Sequence, residues 1–346
     1  MTFPFSIGNG VLLPQLAADT LFLTIADVEG TYSIPYIQSS RTLSAVVTEH
    51  TKCNSIELSL YLANMLVAHR TVMPAVGSLC RFDDLSPGEY CLKVVLIDSS
   101  GSPLKEYLIK RIGIGLIIAA LGDSLTEGYY GNGFMTTENR IAQMFPCDAV
   151  SKDGRNFPQF APTATQYLPS INCFESWMTD LNDLLSAGLK QPVFIANEGW
   201  GGCKTCDYVN LMQNDSAWQN RMKALKPDIW LIHLGVNDER SYVETGTVGE
   251  NLRSMIRILI DTYSAKPSNI FLAKPSYDYA PEGLQHLPDY CREIESIIDR
   301  LKISAGPDLY RSFSTNHEKW YGEDMVHPNE QGMRYMARLW CDAILK

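Results

Sequence analysis

From residue 113 onward, four short apolar runs, "GLIIAALG", "PVFIANEG", "DIWLIHLG" and "NIFLAKP", alternate with longer amphipathic segments: "FESWMTDLNDLLSAG", "VGENLRSMIRILIDTYS", "DYCREIESIIDRLK" and "NEQGMRYMARLWCDAILK". A strand that is apolar on both faces has to be covered on both faces. An amphipathic helix between two strands supplies that cover and returns the chain to the starting edge, so that the strands run parallel. The alternation therefore predicts an α/β domain over 113–346, a parallel sheet between helical layers.

Residues 1–112 follow a different pattern. Runs rich in β-branched and aromatic residues, "TLFLTIADV", "RTLSAVVTEH", "SIELSLYLA", "YCLKVVLIDSS" and "LKEYLIKRIGI", are separated by the turn signals "VEGTY", "LSPGEY" and "SSGSP". Closely spaced strands without intervening helices predict a small all-β, sandwich-like domain. A chain of 346 residues is long enough for two such domains.

Residues 131–171 fit neither pattern, carrying Gly, Pro, Asn and scattered aromatics without a sustained period. Long loops inside compact domains are often functional. This one directly follows the end of the first α/β strand, which makes Phe157, Phe160 and Tyr167 candidate substrate-binding residues. The competing reading is a surface excursion with its own small core.

Charge and cysteine usage narrow the function classes. A net charge of −10 without clustered Lys and Arg excludes a nucleic-acid surface and disfavours an anionic substrate. The longest apolar run, "IGIGLIIAALG", falls well short of the roughly 20 residues of a membrane helix. The start "MTFPFSIGNG" lacks the basic and apolar segments of a signal peptide. Nine dispersed cysteines, an odd number, fit reduced thiols. Both features favour the cytoplasm, unless the chain is the mature form of an exported protein. Cys203 and Cys206 have metal or redox spacing, but no second pair or His ligand accompanies them. They read as structural thiols, and neither metal nor cofactor is expected.

In open α/β sheets, sites form where strands end at their carboxyl edge. Three such ends carry suggestive residues: "AALGDS" ends on Ser124, "FIANEGWGG" on Asn197 and a run of glycines, and "LIHLGVND" on Gly235, Asn237 and Asp238. A fourth piece, "GEDMVHPNEQG", places Asp324 and His327 just before the last helix. A serine hydroxyl needs a base to take its proton, and a histidine base needs a carboxylate to hold its tautomer and stabilise the imidazolium. Backbone N–H groups and an Asn amide suit the negative charge that develops on an attacked carbonyl. Asp123 and Asp238 read as loop-holding acceptors, and His233 as a hydrogen-bonded core histidine. His286 and His317 have no carboxylate at useful spacing. Trp200, beside the glycines, is a candidate for lining a substrate pocket.

In order and spelling, "GDSLTEG" at 122–128, "NEGWGG" at 197–202, "GVND" at 235–238 and "DMVHPN" at 324–329 resemble the four blocks of the GDSL, or SGNH, hydrolase family. The likeness covers roughly 113–346. It implies a flavodoxin-like three-layer fold and a metal-free esterase in which Ser124 is the nucleophile, His327 the base and acid, and Asp324 its orienting carboxylate. The oxyanion donors would be the backbone N–H groups of Ser124 and Gly202 and the amide of Asn237, although Gly199 and Gly201 leave the glycine register open. The Gly-x-Ser-x-Gly elbow of the α/β-hydrolases is absent, because position 126 is Thr.

The preceding β domain resembles the architecture of family members that deacetylate polysaccharides, which makes a carbohydrate O-acetyl ester the expected substrate, small or polymeric. The rival readings are a lipid esterase, lysophospholipase or thioesterase, and an inactive carbohydrate-binding protein. Nothing in the sequence addresses oligomeric state.

Overall fold

The computed structural model describes residues 20–23, 31–38, 41–47, 53–129, 176–279 and 286–346. Among these residues, eight strands precede the α/β region: β1 (Thr20–Leu23), β2 (Thr31–Gln38), β3 (Leu43–Val47), β4 (Ser55–Leu62), β5 (Met65–Val72), β6 (Leu79–Phe82), β7 (Gly88–Ile97) and β8 (Pro103–Ile114). They form a five-stranded sheet in the order β2-β8-β7-β4-β5 and a three-stranded sheet in the order β1-β3-β6. Alternation along β4 turns Ile56, Leu58 and Leu60 inward, where they join Leu92 and Val94 of β7 with Leu43, Ala45 and Val47 of β3 and Phe82 of β6. One apolar layer therefore draws on both sheets, which makes this unit a sandwich. Ala63 and Asn64, both at positive φ, close the tight β4–β5 hairpin.

Three of these strands, β2, β5 and β6, have weak sequence signals. "TYSIPYIQ" is interrupted by a proline, "LCRF" is very short, and β5 is an edge strand whose residues are mostly exposed, so burial leaves no alternating mark on it.

The chain divides into two compact units, the second beginning at Ile118 and the segment Lys190–Phe194 counting with the first. The strands of the parallel sheet are β9 (Leu116–Gly122), β10 (Val193–Gly199), β11 (Ile229–His233), β12 (Ile270–Lys274) and β13 (Ser304–Asp308), in the order β10-β9-β11-β12-β13. Numbered from β9, this is the order 2-1-3-4-5 of flavodoxin-like sheets, whose direction of winding reverses between β9 and β11. Every residue of β10 is buried, as are residues 117–122 of β9, in keeping with strands covered on both faces. The edge strand β13, "SAGPD", has no β-branched or aromatic residue and was not among the expected strands. A proline is tolerated there because one side of an edge strand needs no ladder donor.

The expected helices are present as α2 (Trp177–Leu189), α6 (Thr245–Tyr263), α7 (Leu287–Leu301) and α10 (Glu330–Ile344). Trp177 of α2 stacks on Trp340 of α10 with centroids 5.5 Å apart. Two more, α3 (Thr205–Asn214) and α4 (Ser216–Leu225), were not anticipated. Their polar composition hides the period, and Asp215 ends one while its side chain caps the other at Trp218 N. Short helices complete the unit: α1 (Ser124–Glu127), α5 (Val236–Arg240), α8 (Leu309–Phe313) and α9 (His317–Trp320). No helix among the described residues is long and apolar enough to cross a membrane.

Candidate active site

The carboxyl ends of β9, β10 and β11 carry three of the four sequence blocks, so the reversal point of the sheet is also where the chemistry-bearing residues gather. After β9 the chain turns at once into α1. Asp123 caps this turn by accepting from Leu125 N at 3.0 Å, and Gly128 ends it at φ 105. Ser124 is therefore the first residue of a one-turn helix, half-buried between buried neighbours, with its N–H among the donors that a helix start leaves without an intrahelical partner. Trp177 Nε1 donates to Leu125 O at 3.1 Å and Asn197 Nδ2 to Glu127 O at 3.0 Å, tying this turn to α2 and to β10.

After β10, Trp200 N donates to Gly122 O at 2.9 Å and Cys203 N to Trp200 O at 3.1 Å. The third residue of this tight turn is Gly202, at φ +76. A turn with that φ at its third position is of type II and favours glycine. Gly202 is exposed, and a Cβ there would meet nothing within 4 Å, so backbone conformation and not crowding selects the glycine. Of the neighbouring glycines, Gly199 lies against the backbone of Glu127 and Thr126, so its smallness serves packing.

After β11, Asn237 Nδ2 donates to Cys203 O at 3.1 Å, which holds its amide against the Gly202 turn. Asp238 binds two residues further on, accepting from Thr205 N at 3.0 Å and Thr205 Oγ1 at 2.6 Å at the start of α3. Both Asp123 and Asp238 thus hold loops, as the sequence suggested.

The fourth block closes the group. Asp324 Oδ1 accepts from Val326 N and His327 N, both at 3.0 Å, and Met325 between them takes φ 61, a left-handed conformation that folds the loop back on its own carboxylate. Oδ2 of the same carboxylate lies 2.6 Å from His327 Nδ1, and His327 Nε2 lies 2.8 Å from Ser124 Oγ, across 203 residues of sequence. Tyr129 presents its ring edgewise to the imidazole at a centroid distance of 4.8 Å.

Burial lowers the proton affinity of His327 below the ordinary histidine value, and the Asp324 carboxylate offsets this only in part. Burial acts to raise Asp324, but hydrogen bonds from His327 and Val326 outweigh it and keep the carboxyl below its usual range. At neutral pH the arrangement is a neutral imidazole between an ionised carboxylate and a hydroxyl, able to accept the hydroxyl proton and hold the resulting charge. Directly behind the serine, fully buried Asp123 is pushed up to about 7, chiefly by burial.

Ser124, His327 and Asp324 are brought together, with Gly202 and Asn237 side by side on the neighbouring strand ends. Trp200 is half-buried and hydrogen-bonded through its backbone to Gly122 and Cys203. Phe157, Phe160 and Tyr167 lie outside the described residues. His233 is buried with Nε2 3.3 Å from Ser276 Oγ, and its Nδ1 has no hydrogen-bond partner among the described residues. His317 stacks on Tyr279, and the His286 backbone donates to Glu239. Cys203 and Cys206 are free thiols, both raised in proton affinity by burial. Among the described residues, no group of three or more His, Cys, Asp or Glu is placed to hold a metal ion.

One feature near His327 has no local sequence signature. Arg240 forms a two-point ion pair with buried Asp278, Nε to Oδ2 at 2.6 Å and the terminal NH2 to Oδ1 at 3.2 Å. Tyr277 and Tyr279, on either side of Asp278 in sequence, pack ring against ring at 4.3 Å and lie against Tyr310 and His317 respectively. The spacing of Arg240 three residues after Asn237, on one face of a helix, was the only cue available.

Sheet order and strand-end residues together define a member of the GDSL/SGNH hydrolases. A profile of the GDSL-like lipase/acylhydrolase family matches residues 120–335, well over half of the chain, and the chain belongs to that family of ester hydrolases. It is similar to the solved structures of a lipase/acylhydrolase from Enterococcus faecalis (18% identity, 67% of this chain and 96% of that one, TM-score 0.46) and of an acetylxylan esterase from Geobacillus stearothermophilus (20% identity, 66% and 94%, TM-score 0.45). Comparison with curated proteins gives no match.

Proposed function

We propose that the chain is a serine ester hydrolase working through an acyl-enzyme, and that it removes short acyl groups, acetyl foremost, from a carbohydrate or similar polyol. The observation that carries the reading is the continuous contact from Asp324 through His327 to Ser124 Oγ. Ser124 attacks the ester carbonyl while His327 Nε2 takes its proton. The charge that develops on the carbonyl oxygen is met by the N–H groups of Ser124 and Gly202 and the amide of Asn237. The tetrahedral adduct expels the alcohol, which takes its proton from His327. Water, deprotonated by the same imidazole, then attacks the acyl-enzyme and releases the acid.

The polyol preference is supported by the character of the described side chains beside His327. Tyr129 contributes an aromatic ring and the Arg240–Asp278 pair contributes charge. The separate β-sandwich unit is a second, architectural support. Hydrolysis of p-nitrophenyl acetate should exceed that of the octanoate, and Ser124→Ala should abolish both with its thermal unfolding intact. A clear octanoate preference would instead favour the lipid-esterase reading, and full activity of Ser124→Ala would remove the nucleophile.

A further inference from the structure

We propose that Asp123 is a positioning residue that serves as a neutral carboxyl, and that its ionisation shuts the site down from behind Ser124. This rests on the reading of Ser124 as nucleophile and goes beyond it. Asp123 is wholly buried between the end of β9 and the start of α1. Its side chain and its backbone both shape the turn: Oδ1 accepts from Leu125 N at 3.0 Å, and its carbonyl accepts from Thr126 N at 3.1 Å and Glu127 N at 2.8 Å. Oδ2 has no hydrogen-bond partner among the described residues. The charged groups that act on the carboxyl are themselves acidic, Asp238 from α5 and Glu127 from α1, and its own charge is felt by the Cys203 thiol in the loop after β10.

An N-cap aspartate on an exposed helix is stabilised as a carboxylate by solvent and by the helix start. Here the group is sealed from solvent, one N–H meets one oxygen, and the other oxygen would carry its charge near two further carboxylates. A neutral carboxyl still caps Leu125 N and leaves only a hydroxyl unmet, which costs far less than an unmet charge. Burial accordingly raises the group to about 7, with the N–H groups of Leu125 and of Asp123 itself pulling the other way and Asp238 and Glu127 adding to the rise. Above that value the proton leaves to solvent and a negative charge stands beside Ser124. Its effect falls on the oxyanion donors. Ser124 N–H follows Asp123 directly, and Cys203 closes the Gly202 turn through its N–H and holds the Asn237 amide through its carbonyl. A fixed negative charge there opposes the one that develops on the attacked carbonyl. A residue that only capped the turn would leave the rate independent of its own titration.

The test follows kcat/KM on p-nitrophenyl acetate from pH 6 to pH 9, with spontaneous hydrolysis subtracted, in wild type and in Asp123→Asn. The amide of that variant keeps an oxygen for Leu125 N but cannot ionise. Wild type should lose roughly tenfold or more between pH 7 and pH 9, whereas the variant should stay within about threefold of its own value at pH 7. A second measurement needs no variant to fold: carbon-13 NMR of the Asp123 carboxyl in wild type, assigned through its own backbone resonances, should titrate with a midpoint near 7. A carboxyl that titrates below pH 6, a wild-type rate that holds to pH 9, or a fall that persists in Asp123→Asn overturns the proposal. Activity retained in Ser124→Ala defeats the underlying reading separately and leaves the carboxyl titration standing.

Discussion

At the scale of single residues, the proton affinity of His327 sets the conditions under which the site can work. In the proposed mechanism His327 is the base, competent only when neutral, and burial holds its pKa below the ordinary value near 6.5. The acid limb of kcat/KM should therefore have its midpoint below pH 6.5, with activity surviving mild acid and lost as pH falls through the folded-state value. A midpoint above 7 in a pH–rate profile would contradict this. Asn237 has a different sensitivity, because in the proposed mechanism its amide meets charge only in the transition state. Asn237→Ala should cost kcat roughly a hundredfold or more with little change in KM, and steady-state kinetics showing an unchanged rate would remove it from the site. The residues proposed for the site were legible as candidates because each block lies at the junction of a strand or helix with a loop, so a few contiguous letters specify local conformation. The partnership of Arg240 with Asp278 was not, because 38 residues separate them and only the folded chain brings them together.

At the scale of elements, glycines define how closely the strand-end loops approach one another. A Cβ on Gly199 would stand 2.2 Å from Glu127 N and 2.7 Å from the carbonyl carbon of Thr126, both backbone atoms that cannot move aside independently. Gly199→Ala should thus lower the midpoint of thermal unfolding by the equivalent of about 1–3 kcal/mol or more, and displace the Ser124 turn as it does so. Gly246, near the start of α6, has no neighbour within 4 Å of a built Cβ, and its substitution by alanine should leave stability unchanged or raise it by up to about 1 kcal/mol. Equal losses in the two variants, read by melting curves, would show that crowding is not the operative difference. Helices with a strong apolar period were readable in sequence. The helices α3 and α4 and the edge strand β13 were not: the few large side chains the helices bury, Tyr208 and Met212 in one and Trp218, Met222 and Leu225 in the other, stand among polar residues, and β13 is short and partly exposed.

For the whole molecule, buried His233 links stability to pH. Burial depresses its folded-state pKa to about 4, against about 6.5 when unfolded. Between these values the unfolded chain binds the extra proton, so stability is fully present above pH 6.5 and declines as pH falls toward 4, with a slope of up to about 1.4 kcal/mol per pH unit. Unfolding curves at pH 7 and pH 5 should show this loss, and it should shrink in a folded His233→Gln variant; an identical pH dependence in the two proteins would acquit this residue. The amino-acid sequence by itself determined the succession of a β region and an α/β region, and the four short blocks at strand ends, because hydrophobic period and turn chemistry are local properties. Tertiary structure alone decided the order β10-β9-β11-β12-β13, the 2.8 Å approach of Ser124 to His327 and the seating of Arg240 on Asp278. Strand order and long-range side-chain contacts are selected by how whole faces pack, and no local stretch of the chain encodes them.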